Sequence, residues 1–173
     1  MVTAEPLLVF RTDAHRGAVI NAEIARLFVQ AGTEALEAVA SPADISGGLE
    51  AAPADGATTD EVSLILQLTG ALSGAAIYGM SEAVANRLAS RLLDRDADII
   101  QESARGVLRD FARGVVLRLG ELLQEAGSPC EVSAPTLTLA TGVQTAPGCS
   151  AFAIPISTAV GPVRVTLALR DSS

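Results

Sequence analysis

The 30-residue stretch LILQLTGALSGAAIYGMSEAVANRLASRLL, residues 64–93, decides the fold. Its first part contains two apolar runs of strand length, and the segment from Gly70 to Gly74 supplies the turn between them. Ser81 then begins a helix that extends to about Leu93, because serine is a favoured residue at the start of a helix. The stretch therefore predicts a β-hairpin that leads directly into a helix.

Two further helices flank this unit along the chain. Asn21 is placed to cap a helix over about residues 22–40, in which apolar residues recur at helical spacing. The second helix is longer and spans about residues 98–126, where Gly127 stops it. At 1.5 Å per residue this helix extends over roughly 40 Å.

The C-terminal third of the chain has the pattern of strands. Three candidates are present, at residues 130–142, 149–158 and 163–170. The order of helix, two strands, two helices and three strands predicts an α/β chain of the α+β type, with helices layered on an antiparallel or mixed sheet. We expect one domain over residues 1–173, with an N-terminal segment at 1–19 and a mobile loop at 41–60. A short edge strand near Leu49 is an alternative for part of that loop.

Composition and charge exclude several classes of function. The chain has 173 residues, of which 49% are hydrophobic but only 3% are aromatic, so the core must be aliphatic. A net charge of −8 argues against nucleic acids and against anionic membranes as partners. The sequence shows no secretory signal and no apolar run of about 18 residues, so we expect a cytoplasmic protein without a membrane span.

The few residues that commonly bind metals do not form a motif. Cys130 and Cys149 both adjoin predicted strands, and two reduced thiols are the favoured interpretation over a disulfide bridge. His15 has no cysteine or histidine at ligand spacing, and we assign it no chemistry. We therefore expect no metal or cofactor bound by this chain itself.

The long helix has three faces when its residues are placed at intervals of about 100°. The first is a core stripe of apolar residues, comprising Ile100, Ala104, Leu108, Phe111, Val115, Leu119 and Leu122. The second is a row formed by Arg105, Arg109 and Arg113. This row is either a solvated face or a docking surface for an acidic partner. The solvated face is favoured, since like charges at this spacing cost little and Glu102 offsets them.

The third face carries Ser103, Val107, Asp110 and Gly114, beside the core stripe. Glycine inside a helix costs roughly 1 kcal/mol relative to alanine. Gly114 therefore suggests the close approach of another backbone, which only a residue without a side chain permits. That backbone belongs either to the sheet of this chain, which periodicity alone favours, or to a partner.

The hairpin and helix at 64–93, with CEVSAPTLTLATG (130–142) and FAIPISTAVGPVRVTLAL (152–169), resemble the CheC/CheX family of chemotaxis phosphatases, specifically its CheX branch. The resemblance covers most of the chain. It implies a domain in which long helices cover a mixed, largely antiparallel sheet, and it implies a homodimer. It also implies a role in two-component signalling, in which the family removes the phosphoryl group from the aspartate of a phosphorylated CheY-type receiver.

The family carries its active site on one helix, as Asp or Ser, three residues, Glu, two residues, Asn, and then a distant proline. In this sequence the first position is Ser103, which fits, but Val107 replaces the glutamate and Asp110 replaces the asparagine. A family glycine corresponds to Gly114, and the proline corresponds to Pro135, two residues further along than usual. The resemblance implies that the glutamate binds the receiver's lysine, that the asparagine positions water, and that the receiver supplies Mg²⁺.

The two replaced residues predict weak or absent phosphatase activity. Valine has no charge or hydrogen-bonding atom with which to bind a lysine. A carboxylate at position 110, about 4 Å from a phosphoryl oxygen, would be repelled by about 4 kcal/mol per unit charge at an effective dielectric near 20. Three hypotheses remain: a domain that binds a receiver without efficient catalysis, which the residues favour; a residual phosphatase acting through Asp110; and a dimerising scaffold without a receiver partner.

Overall fold

Three helices and eight strands are found in the residues that the computed structural model describes, which are 22–41, 43–45, 50–51, 60–139 and 152–171. The helices are α1 (Ala22–Ala40), α2 (Glu82–Leu93) and α3 (Glu102–Glu125). The strands are β1 (Ala43–Ile45), β2 (Glu50–Ala51), β3 (Val62–Gly70), β4 (Leu72–Met80), β5 (Cys130–Val132), β6 (Thr136–Thr138), β7 (Phe152–Thr158) and β8 (Gly161–Asp171). The predictions for segment 1–19, His15, Asn21, Cys149 and most of the 41–60 loop lie outside the described residues.

The described strands form one sheet in the order β1-β7-β8-β4-β3-β5, and every pairing is antiparallel. Strand β6 also pairs with β3, and β2 pairs with β7. The predicted hairpin of β3 and β4 lies near the centre of the sheet. The predicted α+β fold, with helices on a largely antiparallel sheet, is therefore confirmed. The predicted edge strand near Leu49 corresponds to β2.

The hairpin turn has the backbone geometry that its glycines predict. Gly70 and Gly74 have φ angles of 122° and 136°, which are strained for any residue with a side chain. At Gly74 a Cβ atom would also collide with the backbone of Ala168 on the neighbouring strand β8. Because β4 and β8 approach so closely here, glycine is required at this position.

The helices cover one face of the sheet. Alternate residues of β3, namely Val62, Leu64, Leu66 and Leu68, are buried in a single core with apolar residues of all three helices. The buried hydroxyl of Tyr78 donates a hydrogen bond of 2.8 Å to the carbonyl oxygen of Phe28, which joins β4 to α1. Arg118 of α3 forms an ion pair of 2.8 Å with Glu34 of α1. Within the described ranges, no helix combines the length and apolar character that crossing a membrane requires.

The long helix begins later than its periodicity predicts. Helix α3 starts at Glu102 rather than about residue 98, because side chains of α2 hold the preceding turn in place. Asn86 accepts a hydrogen bond of 2.7 Å from the amide of Ile99, and the hydroxyl of Ser90 accepts one of 2.9 Å from the amide of Ala97. Ile100 therefore lies outside the helix and is 73% exposed, so its predicted place in the core stripe is wrong.

The core stripe of α3 is also rotated slightly from the predicted one. Its buried residues are Ala104, Leu108, Ala112, Val115, Leu119, Leu122 and Leu123. Phe111, predicted in the stripe, is only partly buried and packs against the edge of the core. Small Ala112 takes the fully packed position because it lies closer to the centre of the buried face.

Candidate functional site

The predicted site residues of α3 lie on one strip of the helix that faces away from the core. Ser103, Asp110 and Gly114 are exposed, while Val107 is half-buried and packs against the edge of the core. Their spacings of four, three and four residues place them above one another along the helix, within one angular sector. We call Ser103, Val107, Asp110 and Gly114 the outward strip.

Gly114 does not pack against the sheet of this chain. Apart from the helix's own backbone, no described atom lies within 4 Å of a Cβ atom built at Gly114. The expectation that the chain's own sheet approaches this glycine is therefore wrong. The reason is that Val115, the next residue, points into the core, which leaves Gly114 on the solvent side. Nothing in the described part of the chain requires glycine at this position.

Leu117 extends the outward strip and was missed by the sequence reasoning. It is 71% exposed, although it lies near the middle of a packed helix. A single exposed leucine is unremarkable in itself. Leu117, however, follows Gly114 by three residues and Asp110 by seven, so it lies on the same strip. Its angular position on the helix, within about 60° of Ser103, is the signal that could have found it.

The carboxylate of Asp110 is bound by an arginine of the same helix. Nη1 of Arg113 donates to Oδ1 of Asp110 at 2.6 Å, and the two side chains are 63% and 67% exposed. Both members of this ion pair are therefore open to solvent and to any partner that meets the strip.

The other two arginines of the row converge on Glu102. Arg105 and Arg109 donate to its two carboxylate oxygens at 3.0 and 2.6 Å. These hydrogen bonds hold the pKa of Glu102 below its usual value. The prediction that Glu102 offsets the charge of the row is confirmed. Nearby, Ser103 Oγ accepts a hydrogen bond of 3.3 Å from Arg95, so its hydroxyl is already engaged.

Pro135 lies in a bulge of the strand predicted at 130–142. Between the part of β3 that pairs with β5 and the part that pairs with β6, three residues, 133–135, face two residues of β3. The one residue in excess interrupts the pairing and divides the predicted strand into β5 and β6. Proline is tolerated in a bulge because it lacks the amide that a ladder requires. The hydroxyl of Ser133 replaces a backbone acceptor there, taking a hydrogen bond of 3.0 Å from the amide of Gln67.

The bulge is next to the helix that carries the outward strip, because β5 and β6 both contact α3. Ser133 was not identified from the sequence, and its position two residues before a proline is the signal that could have found it. Through its hydrogen bond to β3, Ser133 fixes the path of the chain that leads to Pro135.

Three features of the described residues bear on metal and small-ligand binding. They contain no group of three or more His, Cys, Asp or Glu side chains that could bind a metal ion. Cys130 is a half-buried free thiol. A cavity of about 10 Å³ lies between α1, α3 and the sheet, beside Gly32, Tyr78 and Phe111, and it has room for about one water molecule.

The fold matches a group of solved chemotaxis proteins. The crystal structure of CheX from Desulfovibrio desulfuricans superimposes with a TM-score of 0.74 and 22% sequence identity, over 87% of this chain and 99% of that one. The chain has a CheX-like fold. A CheX from Borrelia burgdorferi, solved in a CheX–CheY–BeF3–Mg²⁺ complex, has the same fold at a TM-score of 0.67 and 20% identity, over 86% and 98% of the two chains.

A solved protein that is not named as a CheX or CheC protein also has a similar fold. The FliM middle domain of Vibrio alginolyticus matches with a TM-score of 0.54 and 13% identity, over 84% of this chain and 90% of that one. No protein-family model matches the sequence, and no curated protein matches it either. Similarity at these low identities establishes the fold alone. The activity has to be inferred from the residues of the site.

Proposed function

We propose that this CheX-like domain binds a phosphorylated CheY-type receiver on the outward strip of α3 and has weak or no phosphatase activity. The observation that carries the proposal is the exposure of the strip. Ser103, Asp110 and Gly114 are open to solvent, nothing in the described chain covers Gly114, and Leu117 adds an exposed apolar side chain. Protein docking surfaces usually combine apolar contacts with a surrounding polar rim, and the strip offers both kinds of side chain.

The reduced activity follows from the chemistry of two positions. Val107 packs its methyl groups against the core edge and offers nothing to a lysine. Asp110 is a carboxylate that accepts hydrogen bonds but does not donate them, so it cannot orient water as an amide does. Because phosphoryl transfer is catalysed mainly by positioning and charge stabilisation, losing both groups removes most of the rate.

The remaining parts of the proposal concern the surroundings of the domain. The magnesium ion of the reaction belongs to the receiver, so this chain needs no metal of its own. We also propose a homodimer in the cytoplasm, where chemotaxis receivers act. Analytical ultracentrifugation of the purified chain tests the dimer independently of any receiver.

A phosphate-release assay tests the proposal. CheY-type receivers from the same genome are phosphorylated with a small phosphodonor, and their loss of phosphate is followed with and without this protein. We expect the decay to change little, while binding of the protein depends on phosphorylation.

Other outcomes of this assay favour the competing functions. Decay that is faster with the wild type but not with Asp110→Ala would establish an active phosphatase and contradict the proposal. If no receiver binds in either state, the chain is a scaffold without a receiver partner, and the proposed function is wrong.

A further inference from the structure

Within the described part of the chain, Arg113 has fewer hydrogen-bond partners than Arg105 and is more exposed than either of the other two arginines of the row. Arg105 binds Glu102 and also donates to two backbone carbonyls just before α3, and its side chain is only 28% exposed. Arg109 binds Glu102 at 2.6 Å and is 35% exposed. Arg113 is 63% exposed and donates to Asp110. Its guanidinium is therefore the one best placed to contact a partner.

The guanidinium of Arg113 lies beside the outward strip and is bound to one of its residues, Asp110. It is one hydrogen bond, 2.6 Å, from the carboxylate of Asp110, the residue at the position that faces the phosphoryl group in the proposed function. Glu102, which holds the other two arginines, precedes Asp110 by eight residues, or about 12 Å along the helix. Arg105 and Arg109 are thus drawn towards Glu102, whereas Arg113 is the arginine of the row that binds Asp110.

The ion pair between Arg113 and Asp110 is easily exchanged. A solvent-exposed pair of this kind contributes little to stability and is screened by salt. A phosphoryl group offers a planar guanidinium two oxygen acceptors and more negative charge than a carboxylate. An incoming phosphoryl group therefore competes directly with Asp110 for the same donor.

The ion pair of Arg113 is the most open of those that the arginines of α3 form. Arg105 and Arg109 pair with Glu102, and Arg118 pairs with Glu34 and Glu121, and in each of these pairs the arginine is less than 40% exposed. In the pair of Arg113 with Asp110, both side chains are more than 60% exposed. An anionic group of a docked protein can therefore reach the guanidinium of Arg113 directly.

We propose that Arg113 binds the phosphoryl group of the docked receiver, exchanging its ion pair with Asp110 for hydrogen bonds to phosphoryl oxygens. The inference rests on the proposed function and names the residue of this chain that senses phosphorylation. Without Arg113, the phosphoryl group would meet the carboxylate of Asp110 with no positive charge nearby to outweigh the repulsion. With it, the domain distinguishes the phosphorylated from the unphosphorylated receiver without needing to hydrolyse it.

Binding constants of receiver forms test this inference. The probe is a CheY-type receiver from the same genome, with or without BeF3⁻ and Mg²⁺, where BeF3⁻ on the aspartate stands in for the phosphoryl group. We expect Arg113→Ala to weaken binding of the BeF3⁻ form about tenfold, the loss of one charge-assisted hydrogen bond, and to change binding of the untreated form by less than about twofold. Arg113→Lys should retain part of the preference, since it keeps the charge but loses the planar fork.

Arg109→Ala is the matched control, because it removes the same side chain one turn before Arg113, where the guanidinium binds Glu102 instead of Asp110. It should change binding of both receiver forms by less than about twofold. Circular dichroism establishes that the variants fold, as expected for exposed side chains. An unchanged preference for the BeF3⁻ form in Arg113→Ala, or an equal loss in Arg109→Ala, overturns the inference while leaving the proposed function intact. Failure of the wild type to bind either form overturns the proposed function and the inference with it.

Discussion

Replacing Gly114 by alanine should stabilise the fold and weaken receiver binding at the same time. A Cβ atom at Gly114 meets no described atom within 4 Å, and the residue is helical, so a methyl group fits without strain. The helix then gains the difference in propensity between glycine and alanine, about 1 kcal/mol. For a chain of this size that corresponds to a rise in Tm of about 2–4 °C. At a urea dependence of about 2 kcal/mol/M, the midpoint of unfolding should rise by about 0.5 M.

The same methyl group should be harmful when the receiver is bound. If the partner backbone packs against Gly114, an added methyl overfills the interface at a cost of about 1–3 kcal/mol. The Kd for the BeF3⁻-treated receiver should then rise by about tenfold, since each 1.4 kcal/mol is a factor of ten. Urea unfolding and isothermal titration calorimetry on the same preparation measure the two effects.

Gly120→Ala is the control for this pair of effects. Gly120 also has no described atom within 4 Å of its Cβ position, but it lies about 120° around the helix from Gly114 and about 9 Å further along it. It should show the same gain in stability and no loss of binding. Equal receiver affinity in Gly114→Ala and Gly120→Ala would refute the reasoning that a partner packs on the strip. A loss of stability in Gly114→Ala would refute the conclusion that a methyl group fits at this position without meeting other atoms.

Three further changes give separate tests. Val107→Glu combined with Asp110→Asn should raise phosphate release from a bound receiver at least about tenfold, or 1.4 kcal/mol of transition-state stabilisation; a double variant that folds and binds but gains nothing would contradict this. Tyr78→Phe should lower the free energy of unfolding by about 1 kcal/mol, because it removes the buried hydrogen bond to Phe28; urea unfolding measures the loss, and an unchanged midpoint would argue against that bond. Burial raises the pKa of Asp60, so the stability it contributes is present at low pH and is lost as the pH rises through its folded-state pKa. Asp60→Asn should therefore be more stable than the wild type at about pH 7, with a smaller difference at about pH 4. Urea unfolding at the two pH values measures this, and a stability difference that grows as the pH falls would refute the raised pKa of Asp60.

Local sequence signals were sufficient for the hairpin and the helix after it. Gly70, at the end of β3 where the chain turns, and Gly74, within β4, both adopt positive φ angles that favour glycine. Ser81 caps α2 as predicted, its hydroxyl accepting a hydrogen bond of 3.2 Å from the amide of Val84. These signals act within a few residues of one another, and the predicted helix, from Ser81 to about Leu93, agrees with the observed Glu82–Leu93 to within one residue.

Contacts between different secondary-structure elements determine two features that the sequence did not predict, the start of α3 and the split of the strand at 130–142. The start of α3 depends on Asn86 and Ser90, which bind backbone amides beyond the end of their own helix. The split of the strand at 130–142 depends on its register against β3, which places Pro135 in a bulge. Neither pairing leaves a periodic pattern in the sequence.

The candidate site was predictable in position but not in surroundings. The angular position of a residue on a helix follows from its number, so the shared strip of Ser103, Val107, Asp110 and Gly114 was predicted correctly. Which neighbour covers that strip depends on the tertiary structure, and the expected contact between Gly114 and the sheet was wrong. The ion pair of Asp110 with Arg113 was also not anticipated, although its three-residue spacing permits it.

Methyl-resolved NMR of the chain during titration with BeF3⁻-treated receiver tests most directly whether the outward strip is the docking surface. The methyl resonances of Val107 and Leu117 should shift and saturate together, because both side chains lie on the strip. Those of Ile65 should not move, since this side chain lies on the sheet face opposite the helices. Unmoved resonances of Val107 and Leu117, with shifts at Ile65 instead, would contradict the account.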